Sequence, residues 1–468
     1  MLLKYFYDPK LAHASYMVGC QKTNEAIIVD PGRDVQQYLD AAEEEDMTIV
    51  GVADTHIHAD YVSGARELAD RVDAKLFVSD EGDASWKYEY ADQYRAQLLK
   101  DGDHFYVGKV RLDVMHTPGH TPESISFILT DEGGGAAKPM GIFTGDFVFV
   151  GSIGRPDLLE KAAGATGTAR AGAVEMFDSV NRFKALPDYL QVWPAHGAGS
   201  ACGKGLGAIP SSTVGYEKLF NPALQYDEEE AFIDYLLDSQ PEVPYYFKEM
   251  KRVNKEGPEV LYGKTMPAKQ SPESVTARVE AGEQVIDTRP YAAFGEGYVP
   301  GTINIPMDYL AQWAGWLVDW TKPVYLITHE ETLEEAVRVL NKIGYDLIEG
   351  YFNPDEVADA GLNSGSYDVM SIEDASEAIL NDEVTLVDVR AESEWEEGHL
   401  PNAEHLFLGT LPKTAESVID GKLIVVQCRT GGRSAIGASI LKAAGADRVI
   451  NLAGGYRDWA AAGLPTEQ

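Results

Sequence analysis

Four times within the first two hundred residues an apolar run ends in a short polar loop carrying histidine or aspartate. No other pattern in the chain constrains the fold as strongly. Thr48-Ile49-Val50-Gly51-Val52-Ala53 leads into Thr55-His56-Ile57-His58-Ala59-Asp60-Tyr61, and the run ending at Met115 leads into His116-Thr117-Pro118-Gly119-His120-Thr121. Gly141-Ile142-Phe143-Thr144 leads into Gly145-Asp146, and Val192-Trp193-Pro194 into Ala195-His196-Gly197. A short apolar run bounded by turn signals reads as a buried strand. Four such strands can bring their loops to one sheet edge, where histidine and carboxylate at this density suit a metal ion.

Further candidate strands are Lys4–Tyr7, Ser15–Cys20, Ala26–Val29, Lys75–Val78, Val110–Met115 and Ser124–Leu129, with the buried run Ile49–Ala53 among them. Helical patterns lie over Val35–Glu45 and Gly64–Val72. Strands with interspersed helices predict a layered α/β architecture. Ser211 to about Leu261 reads as helical and acidic, and Gly263–Pro272 as a linker. At 468 residues the chain is too long for one ordinary domain. Its net charge of −36 is spread along the chain and argues against binding nucleic acid or an anionic membrane. Cys20, Cys202 and Cys428 are too few and too scattered for a disulfide framework and suit a reducing compartment. Lys4, Asp8 and Pro9 interrupt the first residues before a signal-peptide-length apolar stretch develops, and no run is long enough to span a membrane. A cytoplasmic location is expected.

The last two hundred residues contain an internal repeat at an offset of 101. Val285-Ile286-Asp287-Thr288-Arg289 matches Leu386-Val387-Asp388-Val389-Arg390, and Gly297-Tyr298-Val299-Pro300-Gly301 matches Gly398-His399-Leu400-Pro401-Asn402. A unit of this length holding strands and helices suits a compact α/β domain. The copies differ where chemistry would occur. In the second, the apolar run Leu423–Gln427 delivers Cys428-Arg429-Thr430-Gly431-Gly432-Arg433-Ser434, and a helix follows. A helix N-terminus and two arginines favour a thiolate, and successive backbone N–H groups cradle an anion. In the first copy Ile327 takes the place of Cys428, and Thr328-His329-Glu330-Glu331-Thr332-Leu333 has neither glycine nor arginine. That copy cannot run the same chemistry. Its Trp313, Trp316 and Trp320 are spaced to share a helical face, for core packing or for contact with the first domain.

THxHxD, PGHT, TGD and PAHG, in this order, resemble the metallo-β-lactamase superfamily, and within it the persulfide dioxygenases. The repeats resemble rhodanese domains through the DxR element and the glycine–x–x–proline turn, the second also through CRTGGRS. The resemblance implies an αββα sandwich over residues 1–262, an inactive rhodanese-homology domain over 263–365 and a catalytic rhodanese domain over 366–468, the last two with parallel sheets. It implies Fe(II), one per chain, on His56, His120 and Asp146, and Arg155 near the substrate. Binuclear hydrolases carry a histidine where this chain has Tyr61, and a phenol is a poorer ligand for a second divalent ion. The site therefore reads as mononuclear, with His58, Asp60, Tyr61 and His196 around the ligands rather than among them. Two histidines and one carboxylate leave open positions suited to an oxygenase. Cys202, six residues beyond His196, reads as an idle thiol or as a sulfur relay to the metal.

The implied activity is oxidation of a low-molecular-weight persulfide by O2 to sulfite and thiol, coupled to sulfur transfer between persulfide and sulfite or thiosulfate. Cys428, Arg429 and Arg433 would act in that transfer, with Gly431 and Gly432 forming the anion cradle. A homo-oligomer with no membrane or nucleic-acid partner is expected. The alternatives are a zinc thioester hydrolase of the glyoxalase II type with an attached sulfurtransferase, and a non-enzymatic sulfur carrier using Cys428. A tyrosine phosphatase is disfavoured, because that family places five residues between cysteine and arginine and here four separate Cys428 from Arg433.

Overall fold

Along strand His13–Cys20 every side chain is buried, but neighbours enter different cores: Tyr16 and Val18 one, Met17 another. Glu25–Val29 splits the same way, as do Thr48–Ala53 and Lys75–Ser79, with Ile28, Val52 and Leu76 opposite Ile27, Ala53 and Phe77. Successive side chains on a strand point to opposite faces, so these strands form a sheet covered on both sides. In the computed structural model, which describes residues 1–163, 167–238, 240 and 242–468, that sheet has six strands in chain order: Leu2–Asp8, His13–Cys20, Glu25–Val29, Thr48–Ala53, Lys75–Ser79 and Ala96–Leu99. The first three pair antiparallel and the rest parallel.

A second six-stranded sheet runs in the order Ser212–Thr213, Gln191–Pro194, Gly141–Gly145, Ile125–Thr130, Val110–His116 and His104–Val107. Tyr16, Phe77, Phe105, Phe127, Phe143 and Trp193 fill the space between the two sheets. Helices Gln36–Glu44 and Ala65–Val72 cover the outer face of the first sheet through Tyr38, Ala41, Leu68 and Ala69. Helices Thr168–Lys184 and Glu229–Leu237 cover the second through Met176, Phe183, Phe232 and Ile233. The result is an αββα sandwich. In the region expected to be helical, Val214–Phe220, Glu229–Leu237 and Phe247–Glu256 are helices, and positions 239 and 241 lie outside the described residues.

Met1–Lys264 groups with Asn341–Gly344 as one compact unit, and Thr265–Leu340 with Tyr345–Gln468 as another. The break at Lys264 falls inside the stretch read as a linker. The second unit holds two parallel sheets. One has the order Ile303–Asn304, Gln284–Asp287, Val324–Ile327, Ile348–Phe352. The other has Ala403–His405, Thr385–Asp388, Ile424–Gln427, Val449–Leu452, and then Asp368–Met370. The first four strands of each are related by the sequence offset, so the repeat is also a repeat of topology.

The two copies dock through the edge strand of the first. Asn304 N–H donates to Ser439 Oγ at 3.0 Å, on helix Gly432–Ala443. Trp313 and Trp316, on helix Leu310–Leu317, pack on Phe407 of the second copy, while Trp320 lies beyond the helix end and packs against Tyr345 instead of sharing that face. The DxR element is a brace in both copies. Arg390 Nη2 donates to Asp388 Oδ2 at 2.7 Å and to the Gly398 carbonyl at 2.8 Å, and Arg289 repeats this with Asp287 and Gly297. The arginine thereby ties a strand end to the glycine–x–x–proline turn, which explains why both motifs recur together.

Asp388 is fully buried. Arg390→Ala strips its counter-charge and should destabilise the second unit by about 3–5 kcal/mol in urea unfolding. A loss of about 1 kcal/mol or less, as for an exposed pair, would show the brace to be idle.

Candidate metal centre and sulfur-transfer loop

The strand Thr48–Ala53 delivers Asp54 through Tyr61 into a pocket where every residue but Ala59 is buried. Asn254, on helix Phe247–Glu256, donates to the carbonyls of His58 and Tyr61 at 2.8 and 2.7 Å and accepts from Ser63 N–H, clamping the loop from outside. Strand Gly141–Gly145 ends at a glycine with φ of 53°, where an added Cβ would sit 2.3 Å from Thr55 Oγ1. Glycine is required there for Asp146 to approach the histidine loop.

His56, His120 and Asp146 bring one ligand atom each within 4.8 Å of one another, and all three are buried. His56 Nε2 lies 3.8 Å and His120 Nε2 3.4 Å from Asp146 Oδ2. The far side of each ring is occupied. His120 Nδ1 donates to the Arg155 carbonyl at 2.9 Å. Thr55 Oγ1 donates to Asp30 Oδ2 at 3.1 Å, so it accepts from His56 Nδ1 at 3.0 Å. Both Nε2 atoms are therefore left with a lone pair facing Asp146. Such partners fix the tautomer of metal-ligating histidines. Burial holds His120 below the ordinary imidazole range, and burial with the neighbouring histidines holds His56 well below it, keeping both neutral as ligands must be. His56 Nε2 and both Asp146 oxygens lack a well-formed hydrogen bond among the described residues. Buried polar atoms without partners are costly, and a bound cation would satisfy all three.

His58 faces elsewhere. Its Nε2 lies 3.2 Å from Asp30 Oδ1 and 3.0 Å from Tyr61 Oη, and it groups with Asp30 and Asp54. Burial pulls its pKa down, but the hydrogen bond and charge of Asp30 override this and push it up to about 9. Asp60 and His196 form a pair at 3.1 Å, with His196 Nε2 also 3.4 Å from Asp146 Oδ1 and Nδ1 donating to the Ala12 carbonyl. Against the burial penalty, Asp146 and Asp60 raise the His196 pKa to about 9.

Some placements differ from the sequence reading. Arg155, expected beside the substrate, is wholly buried and paired bidentately with Asp157 at 2.7 and 2.8 Å, and its carbonyl orients His120. Cys202 clusters with Asp60 and His196, and burial together with the Asp60 and Asp146 charges pushes its pKa well up, which keeps the thiol protonated. Asp30 escaped the sequence reading, although Val29-Asp30-Pro31-Gly32 repeats the pattern of apolar run, carboxylate and turn. Glu123 was missed too. It is fully buried, and its Oε1 accepts from Ile57 N–H, between the two loop histidines, at 2.7 Å.

In the second unit Cys428 follows strand Ile424–Gln427 and is buried. Gly431 N–H donates to Sγ at 3.2 Å, and Ser434 Oγ lies 3.4 Å from it. Gly431 has φ of 107°, the turn that starts helix Gly432–Ala443, and Gly432 is buried behind it. Arg433 does not point a free charge at the thiol, because Glu394 holds it at 2.8 Å. Arg429 is exposed.

The profile of the metallo-β-lactamase superfamily matches residues 8–196, and that of the rhodanese-like domain residues 371–462. A crystal structure titled as a metallo-β-lactamase from Staphylococcus aureus is 44% identical, with a TM-score of 0.68, covering 75% of this chain and 98% of its own. The chain belongs to the metallo-β-lactamase superfamily and carries a rhodanese-like domain after that fold. Among curated relatives, the mitochondrial persulfide dioxygenase ETHE1 of Bos taurus is 26% identical over 49% of this chain and 78% of its own length. A β-lactamase hydrolase-like protein of Xylella fastidiosa is 28% identical over 49% of this chain, which spans only 53% of that relative. Among the described residues no helix is long and apolar enough to cross a membrane.

Burial pushes the Glu123 carboxyl up to about 7 from 4.5, against the pull of its hydrogen bonds. The stability contributed by its protonated form is complete below pH 4.5 and is lost as pH rises through about 7. Glu123→Gln should therefore gain stability relative to the parent between pH 5 and 8, read by urea unfolding at several pH values. A pH-independent difference would show that Glu123 is not held protonated.

Proposed function

We propose that the chain is a bifunctional sulfur enzyme. The first fold oxidises a low-molecular-weight persulfide with O2, and the rhodanese-like domain moves sulfane sulfur through Cys428. The observation that carries this reading is the buried convergence of His56, His120 and Asp146 with unpartnered ligand atoms, while His58 is turned to Asp30 and Tyr61. Two histidines and one carboxylate are the ligand set of Fe(II) oxygenases. Fe(II) held there would supply the redox chemistry that O2 requires and zinc lacks. The similarity to a persulfide dioxygenase and the presence of a sulfur-handling domain in the same chain support the same choice.

The protein's own groups do the rest. Thr55 and the Arg155 carbonyl hold both histidine rings in the ligating tautomer. His196 Nε2, between Asp60 and Asp146, keeps a proton beside the reacting atoms. The balance is R–S–SH + O2 + H2O giving R–SH, sulfite and two protons. At the second site a persulfide on Cys428 passes its outer sulfur to sulfite, giving thiosulfate and the free thiol, or the reverse. Tethering two centres that share reactive sulfur species raises their effective concentration.

A second reading has one observation in its favour. Asp60, His196 and Cys202 form another ligand-type group beside Asp146, as a binuclear zinc thioester hydrolase would need. O2 consumption with glutathione persulfide separates the two. Asp146→Ala should lower O2 uptake by at least about 100-fold, and Cys428→Ser should leave it unchanged while abolishing sulfur transfer from thiosulfate. Thioester hydrolysis without persulfide-dependent O2 uptake would overturn the proposal.

A further inference from the structure

The cysteine-less copy reaches into the sulfur-transfer centre of the other. Tyr309 ends the one-turn helix Met307–Tyr309, and a Cβ added at Gly432 would lie 2.4 Å from its hydroxyl. Gly432 is the residue at which the helix after the Cys428 loop begins. The Tyr309 hydroxyl has no hydrogen-bond partner among the described residues, and the side chain is half-buried. Its ring lines a cavity of about 310 Å³ in the cysteine-less copy, together with Arg289, Tyr291, Thr328 and His329. The repeat offset places Thr410 at the equivalent position, where the hydroxyl bonds back to the Phe407 carbonyl. The domain fold itself therefore does not call for a tyrosine. The position is well defined, because the edge strand at Asn304 and the tryptophans on Phe407 dock the two copies.

The Cys428 loop has a use for such a group. An anion arriving there meets a chain of net charge −36, and the half-buried Arg433 of the loop is already paired with Glu394. Neutral donors, the loop N–H groups and a nearby hydroxyl, must then carry much of the recognition.

We infer that Tyr309 is a substrate-contacting residue of the Cys428 centre, donating a hydrogen bond from the cysteine-less copy to an oxygen of a small sulfur oxyanion seated on the loop. This rests on the sulfur-transfer reading of Cys428. In that step the Cys428 thiolate attacks the outer sulfur of thiosulfate, and an S–S bond forms at Sγ. The old S–S bond breaks, and its electron pair leaves on sulfite. Tyr309 holds the oxyanion end before and after the bond breaks, so the cysteine-less copy is part of the binding site.

The test uses the full chain and an unreactive dianion, sulfate, at constant ionic strength, following alkylation of Cys428 by iodoacetamide through the mass of its peptide. Sulfate should slow alkylation of the parent protein. In Tyr309→Phe the half-protecting concentration should rise about fivefold, the worth of one neutral hydrogen bond, with the rate in the absence of sulfate unchanged. The KM for thiosulfate should rise by a similar factor, with kcat little altered. An unchanged half-protecting concentration in Tyr309→Phe, or no sulfate protection of the parent protein, overturns the inference. Sulfate protection with the Tyr309 effect but no sulfur transfer would uphold the Tyr309 contact to an anion on the loop and overturn the sulfurtransferase reading instead.

Discussion

The carboxylate of Asp30 is the anchor on which the metal loop depends. One oxygen accepts from Thr55 N–H at 2.7 Å and faces His58 Nε2 at 3.2 Å; the other accepts from Thr55 Oγ1. Its carbonyl accepts from His13 Nε2 at 3.0 Å. Asp30 sits at φ of 51°, a conformation that costs an L-residue roughly 1–2 kcal/mol, and the network holds it there. Through Thr55 it sets which nitrogen of His56 carries the proton, and by capturing His58 it takes that ring away from Asp146. One buried carboxylate thus sorts the two loop histidines, leaving His56 Nε2 toward Asp146 and holding His58 Nε2 to itself. The aspartate beyond His58 is sorted too, because Asp60 is engaged with His196.

The two candidate centres handle charge in opposite ways. The metal centre sets the Asp146 carboxylate beside the neutral imidazoles of His56 and His120 in a buried pocket, where a cation would relieve the unpartnered His56 Nε2 and Asp146 oxygens. The Cys428 loop presents N–H groups and pairs its half-buried Arg433 with Glu394, an arrangement for a small anion. Under the proposed function a persulfide would serve both, as a sulfur ligand for a cation and a sulfane donor for a thiolate.

Much of this was legible in the chain because local pattern and function coincide. The strands before His56, His120, Asp146 and His196 each announce themselves as an apolar run ending in a turn, and the offset of 101 returns as identical strand order. What escaped depends on contacts between distant residues. Ala96–Leu99 is an edge strand with no β-branched residue to mark it, and it exists because Lys75–Ser79 offers a free edge. The family resemblance places Arg155 near the substrate, and its pairing with Asp157 and the contact of its carbonyl with His120 emerge only in the fold. Nothing near Cys202 in sequence reveals that it reaches Asp60 and Asp146, and nothing near Tyr309 points to Gly432.

The most direct measurement is anomalous diffraction from crystals of anaerobically purified protein, collected on both sides of the iron and zinc absorption edges. One iron peak per chain among His56 Nε2, His120 Nε2 and the Asp146 carboxylate, with none at Asp60, His196 and Cys202, is the expected result. Two zinc peaks bridged by Asp146 would contradict it.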